Sequence, residues 1–206
     1  VDCGEFFTFR PDLFEGLITQ SAVASEHKIL MGPWAHGGSG AAQVGTAQQG
    51  ELFFYEAEGW SDSLAMRFFD YYLLNAYNGW TGEPVYRYFQ MGENVWDSTS
   101  VWPPQGLTNY SLYLNNSNEL SVNPPAQTTG ESTIIYDPRD PSPTYGGETL
   151  RTDLLQGPYN QADSVESRND ILIFSSPALT QDVAMKGSAN VHLFVSSDRF
   201  DTDFAI

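Results

Sequence analysis

At the string WPPQG, residues 102–106, the texture of the chain changes. Before it, apolar residues recur at helical spacing in two places; after it no helical period returns, and short β-type runs alternate with turns rich in Pro, Gly, Asn and Asp. A chain patterned in this way does not fold as a single uniform class. It has to set an α/β part, residues 1–104, beside an all-β part, residues 105–206, with the break near residues 103–108.

Two helices and two strands are predicted before the break. Pro11 suits the first turn of a helix whose apolar positions Leu13, Phe14, Leu17 and Ile18 share a face. Lys28 to Met31 reads as a short buried strand stopped by Gly32 and Pro33, and Gly37 to Gly50, rich in Gly, Ala and Gln, reads as a loop. From Ser61 a second helix follows, capped by Ser61 or Asp62, with Leu64, Ala65, Phe68, Phe69, Tyr72 and Leu73 on a face that should bury against a sheet. Val85 to Met91 is a β-rich strand ended by Gly92.

After the break the β-type runs are residues 110–114, 132–136, 170–176, 182–187 and 190–197, the pattern of a β-sandwich with no long helix. The chain opens on Val1 without an initiator Met and stops at Ile206 inside a strand-like run. Both parts are therefore expected to be incomplete.

Composition narrows the partners. The 26 acidic residues outnumber the 9 basic ones, a net charge of −17, and such a field repels phosphate backbones and anionic membranes. Neither nucleic acid nor a membrane is an expected partner. No run approaches the ~18 apolar residues of a membrane-spanning helix. Cys3 is the only cysteine, which excludes an intrachain disulfide framework and a thiolate metal cluster. His27 is expected to be solvated and His192 to sit in a strand; neither has partners at ligand spacing. The acids at 137–141 and 201–203 lack the alternating oxygen ligands of a calcium loop, and Gly37, Gly38 and Gly40 lack the strand-to-helix context of a phosphate loop. No metal or organic cofactor is expected. The sequons at Asn109 and Asn115 and the scarcity of lysine are compatible with an exported protein, secreted or periplasmic.

His36 occupies the loop just past the Lys28–Met31 strand, the place where open α/β sheets put their chemistry. In the order nucleophile, acid, histidine, the base comes last, so His36 suits that role if the nucleophile lies upstream. A hydrogen-bonded loop histidine is the bland alternative. The string Gly37-Gly38-Ser39-Gly40-Ala41 is one residue from a G-x-S-x-G elbow. It has no strand before it and no amphipathic helix after it, and it follows the histidine, so Ser39 reads as a loop residue.

The strings LMGPWAHGG (30–38), RFFDYYL (67–73), PVYRYFQMGENVW (84–96), WPP (102–104), YDPRDPSPTYGG (136–147), GPYNQADSVESRNDILIFSSPALTQDVAMKG (157–187) and LFVSSDRFDTDF (193–204) follow one another in order. In that order and spacing the chain resembles the CocE/NonD family, which contains cocaine-esterase-like acyl esterases, α-amino-acid ester hydrolases, glutaryl acylases and relatives of X-Pro dipeptidyl-peptidase. The resemblance implies the carboxy-terminal part of an α/β-hydrolase domain followed by a jelly-roll-like β-sandwich. It implies that His36, in G-P-W-x-H, is the triad base of a serine hydrolase acting on a small acyl ester, an amino-acid ester or a peptide. The nucleophile would then belong to a missing amino-terminal part of the same protein. The family's acid would fall near Thr8, which cannot hold an imidazolium; Glu5, Asp2 and Asp12 are the neighbouring acids, and the acid stays unassigned. Thr8 also motivates a rival reading, a non-catalytic homologue or β-sandwich binding module. Oligomeric state stays open.

Overall fold

The computed structural model describes residues 11–35, 46–127, 130–147, 153–202 and 204–206. Its organising element is a three-stranded sheet in the order β1 (Ile29–Met31), β4 (Tyr86–Gln90), β5 (Val95–Thr99). β1 runs parallel to β4 in the register Ile29 to Tyr86, Leu30 to Arg87 and Met31 to Tyr88. β5 returns antiparallel, pairing Tyr86 with Thr99 and Gln90 with Val95. The central strand carries the buried side chains Tyr86, Tyr88 and Phe89, as its aromatic, β-favouring composition demands. Gly92 and Asn94, both with positive φ, make the turn between β4 and β5.

The parallel pairing of β1 with β4 requires a crossover. It contains a short hairpin, β2 (Gln48–Gln49) with β3 (Leu52–Phe53), and the helix α2 (Trp60–Leu74). The first strand of the hairpin lies inside the stretch expected as loop to residue 50, and Gly50 at its turn has φ +54°. The first helix, α1 (Pro11–Gln20), begins at the expected proline and packs Phe14 edge-on to Tyr86, ring centroids 5.2 Å apart. Leu17, expected on the same buried face, is exposed.

α2 departs from expectation at both its cap and its face. Gly59, in the left-handed region, precedes the first helical residue Trp60, and neither Ser61 nor Asp62 caps the helix. At the other end left-handed Asn75 lets the Ala76 N–H reach the Asp70 carbonyl at 3.0 Å. The aromatic face meant for a sheet is largely open: Phe68, Phe69, Tyr72, Leu73 and Leu74 are all exposed. α2 is held to the sheet from its side by ions instead. Arg67 and Arg87 both bind the Glu83 carboxylate, at 2.5 and 2.7 Å, and Lys28 donates to the Glu83 carbonyl.

The core is small and aromatic. Phe54, Ala57 and Phe89 are buried, with Trp34, Leu52, Met91 and Trp96 packed around them. Phe54 and Phe89 meet edge to face at 5.8 Å, and Trp96 lies 5.2 Å from Phe89 and 4.9 Å from Trp60.

Beyond Thr99 the described residues form short strands and turns. A hairpin joins β6 (Tyr113–Asn115) to β7 (Glu119–Ser121), and Ser175 bridges Glu119 in parallel. Gly147 and Gly157 exchange two hydrogen bonds of 2.8 and 2.9 Å. Among the described residues of this part, the longest helix is one wide turn over residues 162–166. The runs at 132–136, 182–187 and 190–197 have no strand pairing among the described residues. Their residues Ile135, Met185 and Phe194 are well exposed. β-propensity makes a segment fit a sheet, but a partner strand and a covered face have to supply the pairing and burial.

Candidate active site

The loop leaving the carboxyl end of β1 is built to turn sharply and stay put. The Trp34 ring folds back over Gly32 so closely that a Cβ there would sit 2.2 Å from it, so a side chain at this position would displace the ring. Pro33 and Ala35 are buried, and Trp34 stacks at a tilt on Trp96, 5.7 Å away. The strand end, the Gly-Pro turn and the aromatic anchor together deliver a fixed Ala35.

Ala35 precedes His36. His36 itself, together with Ser39, Thr8, Glu5, Asp2 and Cys3, lies outside the described residues, while Asp12 stands in the first turn of α1. Around the segment 36–45, however, both stems are described, and one side chain binds them both. The Ala35 N–H donates to Gln49 Oε1 at 3.1 Å, and Gln49 Nε2 donates to the Thr46 carbonyl at 3.2 Å. Gln49 has no exposed surface at all. A buried amide must use its donor and acceptor or carry the cost of desolvating them, and this one uses both. The Phe54 N–H closes on the Ala47 carbonyl at 2.7 Å, tying the second stem to the core.

Gln49 escapes a reading by composition because Gly37 to Gly50 scans as a featureless loop. In the structure Ala47 and Gln49 are buried while Gln48 is exposed, a strand's two-residue alternation that the sequence does not display because Gln48 and Gln49 are the same polar residue.

The other histidines do not join the site. His27 is half-buried, not solvated as expected, and its Nε2 has no hydrogen-bond partner among the described residues. His192 is exposed and outside any strand. Among the described residues there is no group of three His, Cys, Asp or Glu that could hold a metal ion, and no helix is long and apolar enough to cross a membrane.

A cluster of perturbed side chains joins the sheet to Lys186. Hydrogen bonds from the Tyr88 hydroxyl, the Ser98 N–H and Lys186 hold the Asp97 carboxyl below its ordinary value. Burial raises the Tyr88 hydroxyl, and its bond to Asp97 at 2.6 Å adds to the shift. The Lys186 ammonium, bonded to Tyr88 and Asp97, is raised. Such a fully occupied cluster is a strut between segments; each of its polar groups already has a partner within the chain.

Comparison with known proteins places these features. The family profile of the X-Pro dipeptidyl-peptidase C-terminal non-catalytic domain matches residues 78–206. The cocaine esterase of Rhodococcus sp. (strain MB1 Bresler) is 29% identical over 188 residues, which cover 87% of this chain and 32% of that protein. The chain thus spans about a third of the length of this curated relative. A match over 87% of 206 residues has to begin at about residue 28 or before, so it takes in the segment around His36. Among solved structures, an aminopeptidase from a marine sediment Thaumarchaeota archaeon superposes with a TM-score of 0.66 at 22% identity, over 81% of this chain and 28% of that one. A selenomethionine-labelled α-amino acid ester hydrolase is 27% identical with a TM-score of 0.41, over 50% of this chain and 17% of that one.

Proposed function

Because the chain belongs to the X-Pro dipeptidyl-peptidase C-terminal non-catalytic domain family, we propose that it is the carboxy-terminal portion of a serine hydrolase in which that domain adjoins the end of a catalytic α/β-hydrolase domain. His36 precedes the residues the family profile covers, so the non-catalytic description does not reach it. The domain reading has residues 1–104 as the end of the catalytic domain and 105–206 as a jelly-roll-like sandwich. It is supported by the sheet: β4 and β5 fall within the family match, yet β4 pairs with β1, which lies before it. A break at residue 78 would cut the sheet in two; a break after Thr99 leaves it whole.

The observation that carries the catalytic reading is the built turn after β1. A strand of a parallel pair ends in a Gly-Pro-Trp-Ala turn at the carboxyl edge, where such sheets hold their reacting groups, and the next residue in the sequence is a histidine. In this reading His36 takes the proton from an upstream serine as its oxygen attacks an ester or amide carbonyl. It then returns that proton to the departing alcohol or amine, leaving an acyl-enzyme. Water, deprotonated by the same imidazole, releases the acid and restores the serine. The name of the cocaine esterase relative points to acyl esters as the substrate class, and the family's name points to X-Pro peptides.

A second reading, a non-catalytic module, is favoured by the family's own description over residues 78–206. Fluorophosphonate labelling of the full-length gene product separates the two. Labelling of one serine upstream of Val1 supports the hydrolase; a folded full-length protein that takes up no label supports the module.

A further inference from the structure

We propose that Gln49 is a positioning residue for the His36 base, clamping both stems of the segment that carries it, and that the clamp is braced by the non-catalytic domain. The inference rests on the reading of His36 as general base.

The chemistry of the two stems calls for an amide. Ala35 presents an N–H and Thr46 presents a carbonyl, and the two residues flank residues 36–45 on either side. One uncharged side chain able to accept from the first and donate to the second must carry an acceptor and a donor on the same fork, as glutamine does. This hydrogen-bond pattern also assigns the Oε1 and Nε2 ends of Gln49, because the flipped amide would satisfy neither stem. With no exposed surface, the amide has no water to turn to, so breaking either bond strands a buried polar group. Ala35, the residue before His36 in the chain, is thereby held by Gln49.

Gln49 is in turn held from the far part of the chain. It pairs with Leu52 across the β2–β3 hairpin. The Glu51 N–H donates to the Pro158 carbonyl at 2.9 Å, and the Asn160 N–H donates to Glu51 Oε2 at 3.0 Å. The backbones meet glycine on glycine: a Cβ on Gly50 would lie 2.3 Å from the Pro158 carbonyl oxygen, and one on Gly157 would lie 2.6 Å from the Gly50 nitrogen. Gly157, Pro158 and Asn160 all lie within the non-catalytic family match. Residues of the non-catalytic family match thus brace the hairpin whose buried amide holds Ala35, the residue before His36 in the chain.

The test uses the full-length protein. Gln49→Met fills the same space with no donor or acceptor. Its kcat on p-nitrophenyl acetate is expected to fall about 30- to 100-fold, the cost of sub-ångström to ångström misplacement of a reacting group, with KM within about threefold. Gln49→Glu is expected to recover at least about tenfold of that loss, because a buried carboxyl, protonated, offers an acceptor and a donor on the same fork. In the wild-type protein, hydrogen exchange resolved to single amides should find Ala35 protected although it lies outside any helix or strand. Gln49→Met with native near-ultraviolet circular dichroism and kcat within threefold of wild type would overturn the inference. So would a wild-type Ala35 amide that exchanges at the unprotected rate, a measurement that decides the matter even if Gln49→Met does not fold. His36→Ala is run alongside: if it keeps its activity, the reading of His36 as base fails, while Ala35 exchange still judges the clamp.

Discussion

The Lys186 ammonium lies 3.1 Å from the Asp97 carboxylate across 89 residues of chain, and the same nitrogen sits over the Tyr88 ring at 5.1 Å. This ties the segment around residue 186 to the sheet that ends in the candidate site. Lys186 is 21% exposed and Asp97 48%, so solvent screens the pair. A double-mutant cycle of Lys186→Met and Asp97→Asn is expected to give a coupling of about 0.5–1 kcal/mol from urea midpoints.

Acid should weaken the fold through two carboxyls. Asp97 is held below its ordinary 3.8 by Tyr88, Ser98 and Lys186. At Glu83 burial pushes the carboxyl up, and Arg87 and Arg67 outweigh it, leaving it below 4.5. With the folded value below the unfolded one, the unfolded chain takes up more protons as the pH drops. The stabilisation is therefore complete above the unfolded values and lost as pH falls through the folded ones. Urea midpoints should hold level from pH 7 to about 5 and then fall, and Asp97→Asn should shallow that fall.

The glycine contact between Gly50 and Gly157 predicts its own intolerance. Gly50→Ala adds a Cβ at φ +54° into the Pro158 carbonyl. A loss of about 1–3 kcal/mol is expected, with faster exchange of the Glu51 amide that bonds Pro158.

Local pattern revealed what local pattern controls. Pro11, the Gly32-Pro33 stop, the helical spacing from Leu64 to Leu73 and the aromatic run Tyr86 to Phe89 announced α1, β1, α2 and β4 within a residue or two. The β2–β3 hairpin did not show, because two-residue strands carry too few side chains to display a period and Gln49 is polar at an apolar register position. The helix cap went to Gly59 because a left-handed residue made the turn into α2 that Ser61 or Asp62 had been expected to cap. Contacts such as Lys186 to Asp97 join positions that no window of sequence sees together. His36 is a candidate by its position in the sequence alone, whereas Gln49, which binds both stems of the segment after Ala35, became visible only once those stems were placed.

The open aromatic face of α2 predicts solution behaviour. Phe68, Phe69, Tyr72, Leu73 and Leu74 are exposed on one helix, a run of apolar side chains open to an apolar ligand. The 206-residue chain alone should bind an apolar fluorescent dye strongly, and Leu73→Lys with Leu74→Lys should reduce that binding.

The central claim is that His36 is the base of a hydrolase, and one rate tests it most directly. In full-length protein with unchanged circular dichroism, His36→Ala is expected to lower the hydrolysis of p-nitrophenyl acetate by about 10⁴-fold, since the serine then has no group to take its proton. A folded His36→Ala protein that hydrolyses the ester at the wild-type rate would contradict it.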